Sequence, residues 1–232
     1  YYAKKGEYFS LQLVRNYSLN NFSTEDKTAE SLRLMFKDAA LSEMYKNLDG
    51  TSIFGANPNL SIQGSENNFC EQVISEIEKI DFINLLEKNN ISDFDIINEC
   101  FGHFVRDNFR NNKEDAQYMT PAEIVNPILD MVFSDFNKEN YILLNDSNNF
   151  TIMDPTCGVG TLLIESSKRY LNIIDKAKIE EQLKNKLKTN FLKNGIIGQD
   201  KVDRMVRLSK INALLANGNI HNIVCGNSIS ED

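Results

Sequence analysis

The 232 residues contain no tryptophan, only four prolines, two histidines and four cysteines. The cysteines, Cys70, Cys100, Cys157 and Cys225, are far apart and form no CxxC pair. With His103 and His221 equally separated, the spacing of a structural zinc site is missing and no metal is expected. Free thiols fit a reducing compartment, so a cytoplasmic location is expected. No apolar run approaches the roughly 20 residues of a membrane span, and no charged-then-apolar leader opens the chain. Positive charge is also short: 25 Lys and Arg stand against 33 Asp and Glu, a net charge of −8. Such a chain does not hold nucleic acid by bulk attraction, and any DNA contact must be local or supplied by a partner. What remains is an ordinary globular composition, 41% hydrophobic and 25% charged. The first residue is Tyr1 and the last, Asp232, closely follows a strand pattern, so a piece of a longer protein is expected.

The pattern along the chain divides it near residue 112. Residues 1–112 read as an all-α domain. Ser23 and Asp26 have the spacing of a helix start, predicting a helix from about Glu25 to Asn47. Residues 48–68 read as a loop, and residues 1–22 give no clear pattern. A second helix is predicted from Phe69 to Lys88 and a third from Ser92, with His103 on its apolar face as a core or interface residue. Residues 111–117 are a polar joint. From 113 to 232 the pattern becomes α/β. Thr120, Pro121 and Glu123 make a strong helix start, with Ile124, Ile128, Met131 and Val132 as the expected buried stripe and Pro127 within the helix. Strands are predicted at Phe150–Asp154, Ile196–Gln199 and Ile220–Cys225, and helices at Thr161–Tyr170 and Val202–Ala216. Alternating strands and helices imply a parallel sheet.

The chemistry concentrates where the first strand turns into its helix, at Asp154-Pro155-Thr156-Cys157-Gly158-Val159-Gly160-Thr161-Leu162-Leu163. Ligands of open α/β sheets bind at that end of the strands. Glycines let a ligand approach the backbone, and the helix N-terminus offers free N–H groups. The same turn could simply pack helix on strand. Asp200, ending the second strand, either accepts hydrogen bonds from a ribose or caps the following helix. It lies 46 residues after Asp154, against about 20 in the usual dinucleotide fingerprint. The intervening stretch 168–193 holds eight basic and three acidic residues, a net of +5, which leaves −13 for the rest. That stretch reads as a solvated helix face or as a phosphate-contacting patch. Cys157 reads as a small packing residue, and His221 as a surface residue.

Gln117-Tyr118-Met119-Thr120-Pro121 followed by the Asp154–Leu163 string resembles the N-6 adenine DNA methyltransferases, especially the modification subunits of type I restriction–modification systems. Those carry a Q/E-F/Y-x-T-P element ahead of D-P-x-C-G-x-G-x-x-L. Gly198-Gln199-Asp200 resembles their G-x-E/D at the second strand, Arg207–Asn212 the helix after it, and Cys225-Gly226-Asn227-Ser228-Ile229 their third-strand G-D-x-L. The resemblance covers about 95–232. It implies a Rossmann-like domain, here its first three strands, preceded by the helical domain. It implies that S-adenosylmethionine is bound, its methionine part by Gln117, Tyr118, Met119, Thr120 and Pro121 with Asp154, Pro155, Thr156, Gly158, Gly160, Thr161 and Leu162. Asp200 would then hold the ribose, and Asn227 would stand where the family has an acid facing the adenine amino group. Implied partners are double-stranded DNA, a specificity subunit and a restriction subunit. The family's N/D-P-P-F/Y loop, which receives the flipped adenine, is absent from these residues, because no two prolines are adjacent. No catalytic residue is therefore assigned. The alternative is a cofactor-binding or assembly module that does not catalyse, with the helical domain as a protein-interaction platform. A Rossmann-like nucleotide binder is a third reading.

Overall fold

A computed structural model describes residues 1–87, 120, 122–138, 150–216 and 218–230. The chain divides into two compact units, Tyr1–Asp93 and Phe94–Asp232. The polar joint expected at 111–117, the helix expected from Ser92 and His103 lie outside the described residues.

In the first unit, helix α1 spans Leu11–Phe22, within the stretch that shows no clear residue pattern. Ser10 accepts a hydrogen bond from Leu13 N at 3.1 Å and caps it, and Ser23 ends it in the left-handed region at φ 58°. Ser23 therefore terminates one helix instead of opening the next. Helix α2 runs only over Thr28–Ala40, followed by a short 3-10 turn at Glu43–Tyr45. The predicted helix over Phe69–Lys88 is two: α3 at Asn67–Ile77 and α4 at Phe82–Glu87. Asp81 explains the break, because its Oδ1 accepts from Asn84 N at 3.0 Å in the manner of an N-cap. Val14, Met35 and Ile74, one from each of α1, α2 and α3, form the core of this unit. Beside it lies an apolar cavity of about 320 Å³ lined by aromatic residues including Tyr2, Phe9, Phe36, Tyr45 and Phe54.

The second unit is mixed α/β. Helix α5 spans Ala122–Lys138 with Pro127 inside it. Strand β1 is Ile152–Asp154, helix α6 Thr161–Lys176, helix α7 Glu181–Asn194, strand β2 Ile196–Asp200, helix α8 Asp203–Leu215 and strand β3 Ile223–Cys225. The three strands make one parallel sheet in the order β1-β2-β3, with Met153 opposite Ile197 and Gln199 opposite Val224. Alternation along the strands sends Ile196 and Ile223 into the core formed with Leu163, Ile164, Tyr170, Ile174, Phe191 and Val206. Met153 and Val224, on the other face, stay exposed.

Helix α5 reverses the expected stripe. Val125, Leu129 and Phe133 are buried, whereas Ile124, Ile128, Met131 and Val132 are 53%, 40%, 66% and 50% exposed. Both sets repeat at helical spacing, so periodicity alone did not decide between them. The side facing α6 packs into the core with Leu163 and Ile164, and beside it Arg169 of α6 pairs with Asp130 and donates to Asn126 O at 3.3 Å. Helix α6 also extends past Tyr170 to Lys176, and with α7 it fills the long stretch between β1 and β2. Of the basic residues there, Lys168 pairs with Glu165, Lys184 with Glu181 and Lys188 with Asp175. No helix among the described residues is long and apolar enough to cross a membrane.

Candidate functional site

The turn after β1 is a narrow bend with two left-handed glycines, Gly158 at φ 53° and Gly160 at φ 86°. Ordinary side chains avoid that region, which accounts for both residues. A Cβ on Gly160 would come within 2.6 Å of Ser209 Oγ, whereas one on Gly158 would meet nothing within 4 Å. Gly160 thus makes room for packing inward, and Gly158 leaves the backbone open outward. Gly160 N donates to Cys157 O at 2.7 Å and Cys157 N to Gln199 O at 2.9 Å, tying the bend to β2. Helix α6 then starts with Gly160 at the cap, where no side chain caps it among the described residues. Such a helix start attracts negative or electron-rich ligand atoms.

Two carboxylates stand beside the bend. Asp154 Oδ1 accepts from Thr156 N at 2.9 Å, a local turn bond, and Oδ2 has no protein partner among the described residues. Asp200 Oδ2 accepts from Gly158 N at 3.0 Å, 42 positions earlier in the chain, and Oδ1 accepts from Val202 N at 2.9 Å. Asp200 is not the cap of the next helix, as one sequence reading had it. Helix α8 begins at Asp203 with Val202 in the cap position, and Asp200 instead joins β2 to the glycine bend. Each of its oxygens keeps a lone pair for a ligand hydroxyl. Asn227 is exposed. Its Oδ1 accepts from Ile229 N at 3.3 Å, and the residue before it, Gly226, donates its N–H to Asp200 O at 3.0 Å.

The fold thus brings Asp154, Pro155, Thr156, Gly158, Gly160, Thr161, Leu162 and Asp200 to one end of the sheet, with Asn227 one residue from a bond to Asp200. Pro155 and Thr156 are exposed, and Leu162 packs on the core. Thr120 is exposed, while Gln117, Tyr118, Met119 and Pro121 lie outside the described residues. Three side chains that contact the bend were given no role by sequence reasoning. Ser228 Oγ donates to Pro155 O, Asn212 Nδ2 donates to Val159 O at 3.2 Å, and Ser209 packs against Gly160. The available signal was Ser209 and Asn212 at i, i+3 among the apolar residues of α8, polar groups on a face that is buried.

Cys157 lies under the bend and is buried. Burial, reinforced by the charges of Asp154 and Asp200, pushes its thiol up to about 11. Its burial agrees with the reading of a small packing residue. Cys70 is likewise buried and free, and Cys225 is exposed. His221 is half-buried in the turn before β3.

Residues 92–232 match the model of the family described as N-6 DNA Methylase, which is more than half of the chain. The chain belongs to this family. The matched stretch nearly coincides with the second compact unit and contains the glycine bend, Asp200 and Asn227. Neither the curated proteins nor the solved structures give a match to the chain.

Proposed function

We propose that this N-6 DNA methylase family chain binds S-adenosylmethionine at the glycine bend and serves adenine-N6 methylation of DNA, as part of a modification subunit of a type I-like restriction–modification system. The observation that carries the reading is the left-handed bend after β1, hydrogen-bonded through Gly158 to the carboxylate ending β2. In a Rossmann-like sheet this is the end of the strands where ligands are held. The parallel order β1-β2-β3 agrees with the first half of such a sheet.

The residues present suit this cofactor. Its sulfonium and ammonium are cationic, and Asp154 offers an oxygen without a partner among the described residues. Its ribose is a diol, and the two lone pairs left on Asp200 suit two hydroxyls. The open space over Gly158 admits a ligand against the backbone. When bound, the cofactor supplies an activated methyl group. Asp154 holds the charged end, Asp200 fixes the sugar, and the first-turn N–H groups of α6 receive the carboxylate. Asn227 has an amide that can both accept from and donate to the adenine edge. Residues 1–232 contain no N-P-P-F/Y loop, so adenine N6 must be received by other residues or by sequence outside this stretch. The acidic balance suits a subunit whose DNA reading is supplied by a separate specificity subunit, with a restriction subunit alongside, in the cytoplasm.

Gly158→Leu tests the site. A leucine at φ 53° is strained and projects into the space left over the bend. Calorimetry on the intact protein is expected to show S-adenosylmethionine binding by the native chain and none by the variant, while both unfold cooperatively. Equal affinities would overturn the assignment.

A further inference from the structure

A peptide unit followed by glycine flips at little cost, since the flip changes ψ of the residue before it and φ of the glycine, which accepts either sign. The Val159–Gly160 peptide is in that position, with Gly160 at φ 86°. Its N–H is held locally, donating to Cys157 O at 2.7 Å. Its carbonyl is held from elsewhere in the chain by Asn212 of α8, whose Nδ2 donates at 3.2 Å across 53 positions. Asn212 is 2% exposed and sits among buried Met205, Val206, Ser209 and Ala213. Its Oδ1 has no partner among the described residues. An aliphatic residue would fill the same space without burying that oxygen, so the feature the amide supplies is the bond to Val159 O. Turning the amide over would set oxygen against carbonyl oxygen, so the donor orientation is the one the site admits. One turn earlier, Ser209 blocks any side chain at 160.

We infer that Asn212 is a positioning residue: its buried amide locks the Val159–Gly160 peptide and thereby aims the first-turn N–H groups of α6 at the ligand side of the bend. Its consequence for binding rests on the cofactor reading above; its consequence for the loop does not.

Asn212→Leu in the intact protein separates the two. Hydrogen exchange at the Gly160 amide is expected to quicken about tenfold, the size of one lost hydrogen bond. Exchange within α8 stays as it was, and Tm falls by no more than about 4 °C. Calorimetry is expected to show S-adenosylmethionine affinity reduced about tenfold. Asn212→Asp, which keeps the shape but offers an acceptor to the carbonyl, is expected to weaken binding further. Should Asn212→Leu fail to fold, Asn212→Ser gives the same two readouts. Unchanged exchange at Gly160 overturns the role. So does a native-like affinity in a variant whose loop has loosened. If the native chain binds no S-adenosylmethionine while Gly160 exchange still accelerates, the cofactor reading fails and the loop-locking role of Asn212 stands.

Discussion

At the residue scale, glycine and cysteine in the bend obey different constraints although they are adjacent. Gly158 and Gly160 are both left-handed, yet the first faces open space and the second faces Ser209. Cys157 between the two carboxylates faces inward, and burial raises its thiol to about 11 from 9.0. Below pH 9 the thiol is protonated in folded and unfolded chains alike. Between pH 9 and 11 the unfolded chain loses the proton first, so the stability contributed by the buried neutral thiol is lost as pH rises through that window. Cys157→Ala is therefore expected to flatten the fall in unfolding free energy from pH 9 to 11, by about 2 kcal/mol. At pH 8, iodoacetamide is expected to label Cys225 and to spare Cys157 until the chain is unfolded, which peptide mass spectrometry reads directly. Early labelling of Cys157 would contradict its burial.

At the element scale, α5 shows where periodicity stops being informative. The stripes Val125-Leu129-Phe133 and Ile124-Ile128-Met131-Val132 are both apolar, and a helix can bury one only by turning the other out. Packing of Val125, Leu129 and Phe133 into the core with Leu163 and Ile164 decides the matter, and Arg169 pairs with Asp130 and Asn126 beside it. Leu129→Ala is expected to cost about 2–5 kcal/mol, as for other buried leucines. Ile128→Ala is expected to cost less than about 1 kcal/mol, being partly exposed. Urea unfolding of the two variants checks the contrast, and equal losses would mean that the helix is rotated. The three strands were legible because short apolar runs between helices have few other uses. Their bounds shifted by up to three residues at the N-terminal ends, since hydrogen bonding, not hydrophobicity, defines where pairing starts. Helix ends in the first unit were misread for a related reason. Serine and aspartate suit both the end of one helix and the start of the next, and only backbone geometry at Ser23 and Asp81 shows which.

At the scale of the whole chain, charge is unevenly placed. Residues 168–193 net +5 within a chain of −8. Half of those basic residues are neutralised by acids close by. Lys176 closes the helix that runs away from the glycine bend, and Lys193 lies just before β2 begins, so both stand at the opposite end of the strands from the candidate site. That placement favours the solvated-face reading over contact with a DNA target at the site. The chain without partners is accordingly expected to show no binding to duplex DNA by fluorescence anisotropy at 150 mM salt, about physiological ionic strength. Tight binding under those conditions would refute it. The sheet is packed by helices on the face carrying Ile196 and Ile223, while Met153 and Val224 leave the other face apolar and exposed. Parallel sheets are ordinarily covered on both faces.

The amino-acid sequence by itself determined the α/β alternation of the second unit, the place of the glycine bend and the presence of an acid at the end of the next strand. Those follow from local rules: the period of apolar residues, and the few residue types that tolerate a left-handed turn. Tertiary structure alone decided which face of α5 is buried, that Asp200 bonds to Gly158 and does not cap α8, and that Asn212 reaches Val159 from 53 positions away. Each is a contact between segments distant in sequence, where several residues satisfy the local rule equally and only the packing of neighbouring elements chooses among them.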